Sequence, residues 1–261
     1  MTTVTAPRRR RRGWIVAIVI VAVLAVLAVL VVAAEFAARA LVPQVIRSQL
    51  VSTLGLPEDQ PIDVDIPGLL LPQLVVGNIP VMSLSADDVE VDGISGDVEV
   101  TIADAPVRQG GDWSSARAVV VMDEEQVRTI LSRVDGFPVD SFRLDPPAVA
   151  LDTELNVFGA AVPLGVRLSA AAEDGELVLS PTTFRLGEVD VSAEALRQQL
   201  GPLVGSFVQN WPVCLAEYLP RALTLAEVTV AERGVVASFD IDSAILRDRT
   251  AQQPGSCADA S

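Results

Sequence analysis

The chain contains no histidine and no lysine, and these two absences exclude several kinds of catalytic site. Without histidine there is no Ser-His-Asp or Cys-His arrangement and no imidazole to bind a metal ion. Without lysine there is no Schiff base and no lysine general base. The charged residues that remain are 34 acidic residues and 19 arginines. An enzyme built from this chain would have to work with carboxylates.

The acidic residues form three dense groups, at Asp87–Asp88, Asp123–Glu125 and Glu173–Asp174. These groups fall at strand ends, at a helix start and in a turn, where acidic residues are common for structural reasons. Glycine-rich phosphate loops and the calcium-loop spacing are missing as well. We therefore predict no enzymatic activity, no metal site and no cofactor. A carboxylate-based glycan hydrolase is the enzymatic alternative.

Aromatic residues are scarce, with three tryptophans, one tyrosine and seven phenylalanines among 261 residues. The apolar faces of the fold must therefore consist mainly of valine, leucine, alanine and isoleucine. Smooth aliphatic walls of this kind suit acyl chains. The alternative is that these faces form an ordinary core.

One long apolar run is present, at the N-terminus. Five arginines, Arg8–Arg12, precede 21 uncharged residues from Trp14 to Ala34. About 20 apolar residues span a membrane as a helix, and the arginines favour the cytoplasmic side. We predict a signal anchor that crosses the cytoplasmic membrane once, with the N-terminus inside and the C-terminal domain on the extracytoplasmic side. Cleavage at Ala38-Arg39-Ala40 is the alternative, and it would release a secreted or periplasmic protein.

The anchor divides the chain into a cytoplasmic basic tail (1–13), a transmembrane helix (14–34), one exported domain (35–246) and a polar tail (247–261). All 34 acidic residues but only 14 arginines lie at or after Glu35, so the exported part has a net charge of −20. A surface of that sign repels nucleic acid. We predict the membrane as a partner and exclude nucleic acid, while protein partners are not identified by the sequence.

The chain has two cysteines, Cys214 and Cys257, both in the exported part. They are separated by 42 intervening residues and have no histidine to assist them, which argues against a zinc site. Disulfide bonds persist outside the membrane, so we predict that the two cysteines pair and tie the polar tail to the domain. Two free thiols are the alternative.

The exported part combines helical and strand patterns. Glu35–Leu54 has helical spacing, and we predict a helix that is kinked or restarted at Pro43, or one continuous rod with the anchor that is bent at Pro43. From Ile62 the apolar residues alternate, which predicts antiparallel hairpins with turns near 92–96, 158–159, 173–175 and 233–234. Asp123 and Ser192 are candidate caps of two short helices. The fold class is α+β, in which one transmembrane helix precedes a long helix packed against a curved antiparallel sheet, with two further short helices.

The stretch Ile66–Val81, IPGLLLPQLVVGNIPV, fits neither pattern. It is uncharged and contains three prolines and two glycines. Pro72 would remove a hydrogen-bond donor from the middle of a strand. We predict an irregular, proline-bent apolar segment beside the membrane-proximal helix, with hinges at Gly68 and Gly77.

Several short motifs stand in a characteristic order along the exported part. They are Leu54-Gly55-Leu56-Pro57, an extended Pro61–Gly68, the apolar Leu69–Gly77, a V-x-V strand, Pro212-Val213-Cys214, Tyr218-Leu219-Pro220 and a hairpin at Gly234. This order resembles the LmeA-like phospholipid-binding proteins of actinobacterial cell envelopes, although members usually carry a Gly-Phe-Pro-Phe-Leu type of segment at Gly68–Pro72. The resemblance implies a membrane-associated, periplasmic-side protein that binds phospholipid in a tubular-lipid-binding-like fold.

The leading hypothesis is a lipid-binding or lipid-shuttling protein that holds acyl chains in an aliphatic cavity between helix 35–54 and the sheet. The residues predicted to contact lipid are Leu69, Leu70, Leu71, Leu74, Val75, Val76, Ile46 and Leu50. Arg39 and Arg47 lie next to the membrane in an acidic domain and are predicted to contact the headgroup, the alternative being an ordinary solvated helix face. The alternative function is an envelope interaction module without a ligand.

Overall fold

The computed structural model describes residues 10–54, 56–91, 94–108, 111–132, 139–157, 160–187, 189–200 and 209–256. Within these ranges the fold is α+β, as predicted, with one long N-terminal helix, three short helices and antiparallel sheets. The helices are α1 (Arg10–Leu54), α2 (Leu70–Val76), α3 (Glu124–Leu131) and α4 (Ala193–Leu200).

Helix α1 is one unbroken helix of 45 residues, and it continues through Pro43. The helix therefore does not restart at Pro43 but forms one continuous rod with the predicted anchor, and the bend at Pro43 stays a prediction. Its apolar part is long enough to cross a membrane and is not buried against the rest of the protein. After Ala34, one face of α1 becomes half-buried at helical spacing, at residues 35, 38, 42, 46 and 50. This stripe faces the rest of the protein, which α1 contacts through α2 and the first strand.

The strands form two antiparallel sheets rather than one. In chain order they are β1 (Asp63–Asp65), β2 (Asn78–Val91), β3 (Ile94–Pro106), β4 (Ser115–Met122), β5 (Arg143–Asp145), β6 (Ala148–Val157), β7 (Ala160–Glu173), β8 (Glu176–Leu186), β9 (Val189–Ser192), β10 (Trp211–Val213), β11 (Leu223–Ala231) and β12 (Gly234–Ile241). The first sheet has the order β1-β2-β3-β4-β12-β11. The second has the order β10-β8-β7-β6-β5, with β9 also paired to β8.

Two hairpins follow the predicted turns, at 173–175 and 233–234. Strands β7 and β8 pair from Glu173 and Glu176 onward, and β11 and β12 pair up to Gly234. Gly234 has a φ of 143°, and a Cβ at this position would lie 2.1 Å from the carbonyl oxygen of Met122. Only glycine fits this close approach. Of the turn predicted at 92–96, residues 94–96 belong instead to β3, and residues 92–93 lie outside the described residues, as does the turn predicted at 158–159.

Both predicted helix caps are confirmed. The carboxylate of Asp123 accepts a hydrogen bond from the backbone N–H of Gln126, and the Gln126 side chain accepts one from the N–H of Asp123, each at 2.8 Å. This reciprocal pair is a capping box. The hydroxyl of Ser192 accepts from the N–H of Ala195 at 3.1 Å. The second of these predicted helices is α4, which is described as far as Leu200; residues 201–208 lie outside the described residues.

Three clusters of buried residues make up the core of the described part. The first joins the two sheets, because Leu225, Val228 and Phe239 pack against residues of β7 and β8. The second lies on the first sheet, where Ile79 and its neighbours on β3 and β4 are covered by Ile66. The third holds α4 against β8. The described core includes Leu70, Phe142 and Leu168, each only 2% exposed.

Candidate functional site

The apolar segment Ile66–Val81 forms helix α2 and the start of β2, so the prediction of an irregular segment is wrong. Pro72 is the third residue of α2. A backbone N–H at that position has no partner within the helix, so proline removes no hydrogen bond there. Gly77 ends the helix with a φ of 86°, and its N–H donates to the carbonyl of Gln73 at 2.9 Å. Gly77 and Gly68, with a φ of 85°, both have the left-handed conformation that glycine allows, and the hinge role of both stays a prediction.

Helix α2 divides the predicted lipid-contact residues between the interior and the surface. Leu70 is only 2% exposed, while Leu71 and Leu74 are half-buried. The exposed fractions of Leu69, Val75 and Val76 are 63%, 85% and 80%. One short uncharged segment therefore both completes the core and presents apolar surface to the outside.

Glu35 of α1 fastens α2 to the long helix. Its carboxylate accepts hydrogen bonds from the backbone N–H groups of Leu70 (2.8 Å) and Leu71 (2.9 Å) and from Nε of Arg39 (3.0 Å). Arg39 also donates to the carbonyl of Gly68. Because the first N–H groups of a helix have no internal partner, Glu35 takes the place of a capping side chain. We call this set of contacts, made by Glu35 and Arg39, the α1–α2 clamp.

The α1–α2 clamp also affects the ionisation of Glu35, which lies outside the predicted span 14–34. The N–H groups of Leu71 and Leu70 hold the pKa of this carboxyl below its ordinary value, because they stabilise the ionised form. Arg39 acts in the same direction. Glu35 is therefore charged at neutral pH, as the clamp requires.

Arg47 holds a second part of the chain against α1. Its guanidinium donates to the carbonyl of Gln60 from Nε (3.1 Å) and Nη2 (2.8 Å), and to the carbonyl of Glu58 at 3.3 Å. Gln60 is buried, and its side chain donates to the carbonyl of Asp87 at 2.9 Å. Ile46, next to Arg47, and Leu50 are half-buried on the same side of α1. Arg47 thus fixes the segment that leads into β1.

The contacts made by Glu35 and Arg47 lie at two different distances from the predicted membrane span along the axis of α1. At 1.5 Å per residue, Glu35 lies next to the end of the predicted span, and Arg47 lies about 20 Å beyond Ala34. The polar layer of a bilayer is only about 5–8 Å thick on each side. This spacing favours Arg39, whose side chain is 50% exposed, over Arg47 as a contact of bilayer headgroups. The headgroup role itself stays a prediction for both arginines.

Comparison with known families identifies the chain. The family model described as LmeA-like phospholipid-binding matches residues 33–240, which is most of the chain. This chain belongs to the LmeA-like phospholipid-binding family. The match begins two residues before Glu35 and includes all of α2, so the α1–α2 clamp lies inside the family region. Comparisons with curated proteins and with solved structures found no match.

The LmeA-like chain repeats the clamp arrangement on α3. Glu124 accepts a hydrogen bond from the N–H of Leu144 at 2.9 Å, and Arg128 binds both Glu124 and the carbonyl of Phe142. The Leu144 N–H is the main cause that lowers the pKa of Glu124. In both places the glutamate accepts from a backbone N–H, and the arginine four residues later donates to the carbonyl two residues before that N–H. Sequence reasoning missed this device, although the Glu-x-x-x-Arg spacing was visible.

Two polar depressions lie on the sheets, away from α2. The larger, of about 430 Å³, brings together the acidic groups Asp87–Asp88 and Asp123, with Asp97 beside them. These residues have structural contacts: Asp123 caps α3, and Asp97 accepts from the N–H of Asp88 at 3.0 Å. No group of three or more potential ligands is placed to hold a metal ion in the described ranges.

The smaller depression, of about 80 Å³, lies on the second sheet among three arginine–aspartate pairs, Arg143–Asp152, Arg167–Asp145 and Arg185–Asp190. Hydrogen bonding to Arg185 lowers the pKa of Asp190. Neither depression is lined by α1 or α2. The predicted aliphatic cavity between helix and sheet corresponds to neither of them and stays a prediction.

The end of the described chain packs close to Cys214. The N–H of Gly255 donates to the carbonyls of Ala216 (2.8 Å) and Leu219 (3.1 Å). Cys257 lies outside the described residues, so its pairing with Cys214 stays a prediction. Gly255, which makes these contacts near Cys214, is only two residues before Cys257 in the chain.

Proposed function

We propose that this LmeA-like protein is a phospholipid-binding or lipid-shuttling protein tethered to the extracytoplasmic side of the cytoplasmic membrane. Membership of the family supports the class of ligand. The length and apolarity of α1 support the anchor, and Arg8–Arg12 support a cytoplasmic N-terminus. Removal of the chain up to Ala40 would delete Glu35 and Arg39, which hold α2, and this favours an uncleaved anchor.

The observation that carries the proposal is the exposure of Leu69, Val75 and Val76 beside α1. Covering apolar surface with an acyl chain is favourable by about 25 cal/mol per Å². Arg39, whose side chain is half-exposed, lies at the same end of the body, and its remaining N–H groups can donate to a phosphate oxygen. An acyl contact and a headgroup contact are thereby available at adjacent places.

We extend this proposal to the interior. Ile46 and Leu50 of α1, and Leu71 and Leu74 of α2, are half-buried and aliphatic. Acyl chains would enter along α2 and lie between α1 and the first sheet. We propose no catalytic step, because the chain lacks histidine and lysine and the acidic groups described above have structural contacts.

Uptake of a fluorescent phospholipid by residues 35–261 tests the proposal. This fragment keeps Glu35 and Arg39 but lacks the anchor, and circular dichroism is recorded first to check that it is folded. The double variant Val75→Ser/Val76→Ser should bind at least about fivefold more weakly, which corresponds to roughly 1 kcal/mol of lost apolar contact. The matched control is Val189→Ser on β9, where the valine is 60% exposed. A wild-type fragment that takes up no lipid contradicts the proposed function.

A further inference from the structure

Helix α2 lies close to the level at which α1 leaves the proposed membrane span. The 21 residues from Trp14 to Ala34 extend about 31 Å as a helix, close to the thickness of about 30 Å of the hydrocarbon core. Glu35 is the next residue, and its carboxylate is hydrogen-bonded to the N–H groups of Leu70 and Leu71. The first turn of α2 is therefore one side-chain length from the hydrocarbon boundary.

The α1–α2 clamp and Arg47 together show which end of the body faces the span. Arg47 holds Gln60 about 18 Å further along α1 than Glu35. The chain from Gln60 to Leu70 therefore returns along α1 towards the span, and α2 is the element at its near end. With seven residues, α2 is only about 10 Å long, so none of it lies far from the headgroup layer.

The surface that α2 presents is unlike the rest of the exported part. Residues 66–81 carry no charge, whereas the exported part as a whole has a net charge of −20. Leu69, Val75 and Val76 are largely exposed, and so is Phe36 (71%), which follows Glu35 on α1. Single exposed apolar residues are common, but here four lie in two segments that the α1–α2 clamp joins. An uncharged apolar surface is the part of an acidic protein that can enter a lipid interface.

We propose that α2 docks into the interface of the bilayer that α1 spans, with Leu69, Val75, Val76 and Phe36 in contact with lipid. The inference rests on the tethered orientation stated under Proposed function. The clamp makes the docked position permanent rather than dependent on ligand. The lipid-binding site then opens directly onto the bilayer, and a phospholipid can enter it without crossing water.

The test uses the full chain in phosphatidylcholine vesicles with a minor fraction of phosphatidylglycerol. A polarity-sensitive fluorophore is attached to Val75→Cys or to Val76→Cys, and quenchers are placed on the lipid acyl chains. The controls are Val26→Cys in the span, Val189→Cys on the second sheet, and the parent protein treated with the same dye. Probes at 75 and 76 should emit at shorter wavelength and be quenched at least about twofold more than the probe at 189. Spectra at 75 and 76 that match a probe in water overturn the docking.

The outcomes separate this inference from the proposed function. Probes that enter the interface, together with a fragment 35–261 that takes up no lipid, support the docking and contradict lipid binding. Lipid uptake by the fragment, together with probes at 75 and 76 that report water, supports lipid binding and overturns the docking. Glu35→Gln adds a specific test of the clamp, because it should reduce the quenching at 76 while leaving that at Val26 unchanged. Unchanged quenching at 76 would show that the clamp does not position α2.

Discussion

The most informative stability experiment compares two residues of α2, Leu70 and Val76. Both are aliphatic residues of one short helix, yet Leu70 is 2% exposed and Val76 is 80% exposed. If α2 both completes the core and presents an apolar surface, alanine at these two positions must have very different effects. Leu70→Ala removes side-chain atoms from a packed site, whereas Val76→Ala removes atoms that already face outward.

The expected sizes follow from burial. Truncating a buried leucine to alanine costs about 2–5 kcal/mol, because apolar contact is lost and a cavity remains. For a domain of this size, a loss of 1 kcal/mol lowers the melting temperature by about 2–4 °C, so Leu70→Ala should lower it by roughly 4–20 °C. An exposed substitution such as Val76→Ala usually changes stability by less than about 0.5 kcal/mol, or about 2 °C.

Thermal unfolding of residues 35–261, followed by circular dichroism, measures both variants under one condition. The result that refutes the reasoning is a pair of similar melting temperatures. Equal small effects would mean that α2 is not packed on the body, and equal large effects would mean that Val76 is buried by parts of the chain outside the described residues.

Three further predictions concern the clamps and the tail. Glu35→Gln should speed amide hydrogen exchange at Leu70 and Leu71, because a neutral amide holds their N–H groups less strongly than a carboxylate. Glu124→Gln should flatten the pH dependence of the melting temperature. The pKa of Glu124 is lowered on folding, so its stabilisation is present above the ordinary value of 4.5 and is lost as the pH falls through the folded-state value. Reducing the predicted disulfide of Cys214 should destabilise the protein by about 2–4 kcal/mol in thermal unfolding.

Each of these predictions has a contrary result. If hydrogen exchange at the amides of Leu70 and Leu71 does not change in Glu35→Gln, Glu35 does not cap α2. A variant Glu124→Gln with the same acid sensitivity as the wild type would show that other carboxyls set the acid limit. If the melting temperature is the same with and without reductant, Cys214 and Cys257 are not paired.

The features predicted correctly from sequence are the local ones. A helix cap such as Asp123 needs only a short polar residue before the first turn, and a hairpin needs alternation on both sides of a turn such as 233–234. In both cases the residues that decide the structure are neighbours in the chain. The unbroken course of α1 through Pro43 is one of two predicted alternatives, because proline alone does not decide whether a helix restarts or continues with a bend.

Helix α2 was missed because its stability comes from distant residues. Its sequence has no capping side chain before Leu70, and Pro72 argues against a strand in this segment. The cap is supplied by Glu35, 35 residues earlier in the chain. Two isolated turns of helix are unstable by themselves, so packing and this distant carboxylate decide the conformation. No local pattern contains that information.

The central claim is that the exported part carries a phospholipid, and native mass spectrometry of fragment 35–261 tests it most directly. The fragment is purified without detergent from cells and ionised under conditions that keep weak complexes intact. The account predicts a population whose mass exceeds that of the polypeptide by one phospholipid, reduced in the Val75→Ser/Val76→Ser variant and retained in Val189→Ser. A folded wild-type fragment that has only the mass of the polypeptide, and gains none after incubation with phospholipid vesicles, would contradict it.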